Sequence, residues 1–125
     1  MTAALATTRC DRTSAWAALQ AHYVAAGKGF DLRQAFSADA TDTAKANLGT
    51  QRFAHFSQQA AHVFADLSKN LIDEQTESLL QTLAQQCGLE THRDAMFAGQ
   101  QINTTEQRAV MHFLLRQPAK QDGDP

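Results

Sequence analysis

The sequence predicts a mainly α-helical chain with one small two-stranded hairpin, forming an incomplete domain. Three observations lead there. Apolar residues recur at helical spacing in stretches that end at glycines, as in Trp16, Leu19, Tyr23 and Val24 before Gly27, and Leu79, Leu80 and Leu83 before Gly88. Two short apolar runs, Phe53 with Phe56 and Val63, Phe64 with Leu67, flank the polar Ser57-Gln58-Gln59. The large apolar residues are also few: of 125 residues 23 are Ala, while Leu, Ile, Val and Phe together number 24. That length allows one domain of ordinary size, yet the apolar content is thin for a self-sufficient core.

Residues 1–12 are small and polar and read as a flexible N-terminus. Thr13-Ser14 offers a hydroxyl to the free N–H groups of a first helix, which Gly27 and Gly29 stop. Leu32 to Phe36 suggests a short helical turn with two apolar anchors. Residues 40–51 turn to Ala, Asp, Thr, Asn and Gly, with Leu48 the one large apolar residue, and read as a loop insertion. The two flanking Phe-containing runs are assigned as the strands of the hairpin. Asp73 then opens a clearer helix, with Glu74 and Glu77 in its first turns complementing the dipole and Gly88 closing it. A further helix runs from Leu89 to Phe97, ending near Gly99.

Thr104 and Gln107 have capping-box spacing ahead of the apolar residues 109–115, which predicts a helix from Thr105 to Arg116. Val110, Met111, Phe113, Leu114 and Leu115 would point to nearly every side of it. A helix apolar all round belongs inside a larger body, so pattern and composition agree on an incomplete domain. Pro118 forbids continuation, and residues 118–125 read as a frayed tail. The helical body is thus expected over 13–117.

Composition narrows the function classes. Eleven basic and 13 acidic residues give a net charge of -2 with no basic run, which argues against a nucleic-acid or polybasic membrane partner. No stretch approaches the ~18 apolar residues that span a bilayer, and Met1 to Cys10 lacks the layout of a signal peptide, so the chain reads as unexported. Cys10 and Cys87 are too far apart for a CxxC pair and are expected to be reduced thiols. His22, His55, His62, His92 and His112 show no HExxH or two-Cys-two-His spacing, so no metal and no cofactor is expected.

The residues that could carry chemistry each have a plainer reading. Ser68-Lys69-Asn70 could hold a phosphate, but lacks a glycine-rich loop and reads as the turn ending a strand. His92-Arg93-Asp94 holds acid, base and cation, but neighbours on a helix diverge, so they read as surface pairs. Glu106 and His112 are six apart, a poor angular match, and His112 within its apolar run reads as a hydrogen-bonded core histidine. No catalytic, substrate-binding or metal residue is assigned.

The run Arg93-Asp94-Ala95-Met96-Phe97-Ala98-Gly99, with Ile102-Asn103, Thr105-Glu106, Arg108-Ala109-Val110, His112 and Leu115-Arg116, closely resembles the N-terminal part of the glucose-6-phosphate isomerase family. That family carries a run of the form RDxMFxGEKIN-x-TE-x-RAVLHxALR. Upstream the resemblance continues through Trp16, Leu19 and His22, Leu32-Arg33 with Phe36 and Asp39, Arg52-Phe53 with Phe56-Ser57, Asp66 with Ser68-Lys69-Asn70, and Thr76 with Leu79, Leu83 and Gly88-Leu89. It spans roughly residues 14–116. Residues 40–51 depart as an insertion, Gln100-Gln101 replaces the usual Glu-Lys, and Leu67 stands where an aromatic is common.

The resemblance implies the N-terminal piece of a larger α/β isomerase of the SIS-type sandwich class, cytoplasmic and serving glycolysis and gluconeogenesis. The family interconverts glucose 6-phosphate and fructose 6-phosphate, and its catalytic Glu, His, Lys and Arg and its phosphate loop lie downstream of the matched segment. The resemblance therefore carries no catalytic or sugar-phosphate residue onto this chain. Lys69, Glu106 and His112 match framework positions, and the chain is expected to be inactive by itself. Its expected partners are the remainder of the isomerase or a dimer partner, with sugar phosphate bound only in a full-length context. A non-catalytic interaction module, or a truncated remnant docking its apolar helix on another chain, stays open as the alternative.

Overall fold

The computed structural model describes residues 8–38 and 50–117. The helices are α1 (Ser14–Ala25), α2 (Leu32–Ala38), α3 (Thr50–Phe56), α4 (Glu74–Gln86) and α5 (Leu89–Phe97); strands β1 (Ser57–Ala60) and β2 (Val63–Asp66) lie between α3 and α4. Short 3-10 turns occupy Cys10–Arg12, Gly27–Gly29 and His112–Arg116. The described part is mainly helical with one antiparallel hairpin, as the pattern predicts. It divides into two compact units, one of Ala18–Leu79 and one of the residues up to Ala17 together with those from Leu80 onward.

Within the Ala18–Leu79 unit, Asp31 starts α2 by accepting the backbone N–H groups of Arg33 at 2.8 Å and Gln34 at 3.3 Å. Helix α3 runs directly into β1, and β1 pairs with β2 in the register Ser57↔Asp66, Gln58↔Ala65, Gln59↔Phe64 and Ala60↔Val63. Phe56 and Leu67 extend the pairing by one bond, from the Leu67 N–H to the Phe56 carbonyl. Ala61 and His62 make the turn, with Ala61 in the left-handed region at φ 47°. The buried centre consists of Phe56, Arg52 and Ser68.

The first strand of the hairpin lies after the Phe53–Phe56 run and not within it, contrary to expectation. Phe53 and Phe56 lie on α3, and the polar Ser57-Gln58-Gln59, read as the connection, is itself most of β1. The separation of the two phenylalanines, three positions, fits one helical face and would put them on opposite faces of a strand, and Ala54 between them also favours the helix. Pairing with Val63–Asp66 then draws a stretch of poor β-formers into a strand, an override of propensity by context.

In the other unit, Thr13 caps α1: its hydroxyl accepts the Trp16 N–H at 3.1 Å and donates to the Cys10 carbonyl at 2.7 Å. Gln86 adds a second cap by accepting the Ala15 N–H at 3.0 Å. Gly88 takes φ +75° between α4 and α5, and Gly99 takes φ +70° after α5, the left-handed positions that glycine fills without Cβ strain. Ala15 and Ala95 are buried, and the Phe97 and Phe113 rings meet edge to face at 4.9 Å between centroids.

The expected helix from Thr105 to Arg116 does not form. Asn103 and Arg108 close an isolated antiparallel bridge, the Asn103 side chain accepts the Glu106 N–H at 3.0 Å, and Gln107 turns to φ 55°. Asn103 thus begins a turn that looks like a helix start, but the left-handed Gln107 breaks it before one helical repeat is complete. Ala109 to Met111 form no regular element, and the 3-10 turn His112–Arg116 comes after them, with His112 exposed. Residues 1–7, 40–49 and 118–125 of the expected termini and insertion lie outside the described residues. Within those expected segments, Cys10–Arg12 forms a 3-10 turn, and Thr50 and Gln51 open α3.

Candidate functional site

A gathering of charged and hydrogen-bonding side chains lies within the Ala18–Leu79 unit. It borders an open cavity of about 450 Å³ lined in part by Phe30, Arg52, His55, Phe56, Asp73 and Glu74. Arg52, on the first full turn of α3, is 8% exposed. Its Nε donates to the Ser68 carbonyl at 2.7 Å, and one terminal nitrogen donates to the carbonyls of Asn70 at 2.8 Å and Ile72 at 2.7 Å. The guanidinium carbon lies 4.5 Å from the Phe56 ring centre, 5.4 Å from that of Phe30 and 5.8 Å from that of Phe36. A planar, weakly hydrated cation suits both kinds of contact, which a lysine ammonium would not reproduce.

At the N-terminus of α4, Asp73 Oδ1 accepts the Thr76 backbone N–H at 2.7 Å and the Thr76 hydroxyl at 2.6 Å. His22 Nε2, from α1, lies 3.0 Å from the same oxygen and 3.1 Å from the Thr76 hydroxyl oxygen. Since a carboxylate only accepts, the contact assigns the proton to His22 Nε2. Partial burial pushes the Asp73 carboxyl up, but the Thr76 hydroxyl and N–H and the His22 contact together outweigh it and hold the group below the usual carboxylate range.

His55 on α3 completes the cluster, with Nε2 3.1 Å from Glu77 Oε2 and Nδ1 3.9 Å from Glu74 Oε1. Near the end of β2, hydrogen bonds from the Ser68 hydroxyl and N–H lower the Asp66 carboxyl. The N–H bond measures 2.9 Å.

Histidine beside carboxylate is a pairing that general acid–base chemistry uses. Here the Asp73 oxygen that faces His22 also caps a helix, and the Arg52 fork is directed at three main-chain carbonyls. The arrangement fixes the irregular segment 68–72 to α3 and sets the start of α4 beside α1 residues of the same unit. It organises backbone. Among the described residues no group of three or more His, Cys, Asp or Glu side chains is placed to hold a metal ion.

Of the residues weighed from sequence, His22, His55, Ser68 and Asn70 take part in this cluster, the last two through their main-chain carbonyls. Ser68 and Asn70 form the turn after β2 as read, with Ser68 buried and Lys69 exposed. Arg93 pairs with its neighbour Asp94 at 2.8 Å on the surface, and His92 Nδ1 lies 2.8 Å from the Gly88 carbonyl. Glu106 meets Arg108 at 3.3 Å in the exposed turn. His112 is a surface residue and not the core histidine expected. Cys10 and Cys87 are both free thiols.

Sequence reading missed the role of Arg52. Its signal was an arginine four positions before Phe56, the spacing of neighbours on one helical face, but Phe30 and Phe36 are distant in sequence. It read Asp73 as a helix start without its partner, because His22 lies 51 positions upstream.

Comparison with known proteins places these elements. A family model described as phosphoglucose isomerase matches residues 66–123, from the last residue of β2 through α4, α5 and the Asn103 turn. A glucose-6-phosphate isomerase of Polaromonas naphthalenivorans is 62% identical over 110 residues, which are 88% of this chain and 19% of the relative. The segment is of the phosphoglucose isomerase family. Glucose-6-phosphate isomerases of Albidiferax ferrireducens and Leptothrix cholodnii are 65% and 56% identical over 111 and 112 residues, covering 89% and 90% of this chain. The chain spans about a fifth of the length of these curated relatives. Among the described residues no helix is long and apolar enough to cross a membrane.

Proposed function

We propose that this chain is the N-terminal part of a glucose-6-phosphate isomerase and supplies framework, not reacting groups, to the aldose–ketose interconversion of glucose 6-phosphate and fructose 6-phosphate in the cytoplasm. The observation that carries this reading is the 62% identity that takes in 88% of the chain but 19% of the relative. Moving a proton between neighbouring sugar carbons needs a carboxylate of matched pKa within reach of the carbon, and holding the phosphate needs converging N–H and hydroxyl donors. Asp73 and Arg52, the best organised carboxylate and cation of the described residues, are directed at Thr76, His22 and main-chain carbonyls. The reacting groups are assigned to the part of the enzyme beyond the matched fifth, in an α/β body of the SIS-type sandwich class. The helix 105–116 that motivated the interaction-module alternative is absent.

A graft tests the reading. The 110 matched residues of the Polaromonas isomerase are replaced by the corresponding residues of this chain, and fructose 6-phosphate is measured by a coupled assay. The graft is expected to isomerise glucose 6-phosphate, while the 125-residue chain by itself does not. A folded but inactive graft, or activity that co-elutes with the chain alone, would overturn the proposal.

A further inference from the structure

We infer that the hairpin Ser57–Asp66 is a docking arm, covered on its exposed apolar side chains by the remaining four-fifths of a glucose-6-phosphate isomerase; the inference rests on the reading proposed above. Directly opposed residues of an antiparallel pair share a face. The register therefore puts Ser57, Gln59, Phe64 and Asp66 on one face and Gln58, Ala60, Val63 and Ala65 on the other. Each face carries a large apolar residue in the open: Phe64 is 57% exposed and Val63 is 66% exposed. Phe64 meets Phe53 at 5.9 Å between ring centres, and Phe53 is itself exposed, as is Leu67 just after β2.

Hairpins that face water keep one side polar and guard their edges with Lys, Pro or bulges. This one has apolar residues on both sides, contains no Lys, Arg or Pro, and carries one charge, Asp66, on its strands. A two-stranded hairpin is also marginal by itself. These features describe an element made to be enclosed. A second copy of the chain, meeting the arm through a two-fold contact, would cover one face. A body that makes up four-fifths of the matched relatives can enclose both faces, so the observations favour it as the occupant.

The experiment compares one site in two contexts. Val63→Cys is introduced into the 125-residue chain and into the graft, and maleimide labelling of that position is followed by peptide mass spectrometry, which separates it from Cys10 and Cys87. Labelling of an enclosed residue waits for local opening, so the rate in the graft is expected to fall at least about tenfold below that in the chain. Equal rates in an active graft would overturn the inference while leaving the proposed function standing; an inactive graft with its native Val63 would overturn the proposed function. Protection in the chain alone that rises with its concentration would assign the arm to a second copy instead. Should the cysteine variant of the graft fail to fold, hydrogen exchange of amides 57–66 in the unsubstituted proteins decides in the same way, slower exchange in the graft supporting the inference and equal exchange overturning it.

Discussion

Replacing Arg52 by methionine, which keeps an unbranched apolar stem, removes the guanidinium charge and all of its donors from the centre of the Ala18–Leu79 unit. Three carbonyls lose their partner. Ser68 is 2% exposed, so its oxygen has little access to replacement water, and a lost bond to a charged donor costs about 1.5–3 kcal/mol there. Asn70 is exposed and Ile72 half-buried, so their carbonyls recover part of the loss from solvent and cost about 0.5–1 kcal/mol each. The contact with Phe56, 4.5 Å from the guanidinium carbon, adds about 1 kcal/mol, while methionine returns some packing against the same rings. The net loss expected is about 3–5 kcal/mol, a large part of the 5–15 kcal/mol that holds a domain together. Urea unfolding of the chain followed by circular dichroism reads it as a lowered midpoint. Arg52→Lys should recover less than half, because an ammonium cannot present the planar fork. A loss below about 1 kcal/mol for Arg52→Met, or full recovery by lysine, would refute the account of Arg52 as the clamp of segment 68–72.

Asp73→Ala should cost about 0.5–2 kcal/mol by removing the cap of α4, whereas Asp73→Asn, itself a good cap, should cost less. The two also differ in acid: because the folded-state carboxyl titrates below its ordinary value of 3.8, its contribution is complete above that value and is lost as pH falls through the lower folded one. Urea midpoints measured across that window should decline less steeply in Asp73→Asn than in the native chain. Ala61→Gly relieves a left-handed alanine in the hairpin turn, and a gain of about 0.5–1 kcal/mol is expected in thermal unfolding. His112→Ala, at an exposed position, should change the same melt by less than about 0.5 kcal/mol.

Three long helices were legible because their ends are written in local chemistry. Thr13 supplies a hydroxyl, Asp73 a carboxylate, and Gly88 and Gly99 take left-handed angles, all within a few residues of the boundary each one marks. The hairpin was legible as an element but not in position, since Phe53 and Phe56 are aromatic β-formers at helical spacing, and the first strand, Ser57–Ala60, carries no apolar alternation and is set by pairing with Val63–Asp66. The stretch after Gly99 misled for a related reason. Asn103 and Glu106 open as a helix does, and the backbone reversal at Gln107 has no glycine to announce it. The cluster itself was hardest to read, because Arg52 with Phe30 and Phe36, and His22 with Asp73, are partnerships between segments. The absence of reacting groups is what the resemblance implies; Arg52 and Asp73 themselves hold main-chain carbonyls, Thr76 and His22.

The reach of the Arg52 clamp bears on how such a polypeptide is made. Its three carbonyl partners lie 16, 18 and 20 positions further along the chain, so closing the clamp requires only short loops, with little entropy to overcome. Domains fold as the ribosome delivers them, from the N-terminus onward and at about 5–20 residues per second. Once Ile72 has cleared the exit tunnel, every group the clamp needs is available, a second or more before the α4–α5 region is complete. A nascent chain built this way can close the clamp while α4 and α5 are still to emerge. Loss of the arginine would then be felt first in the yield of folded chain during synthesis.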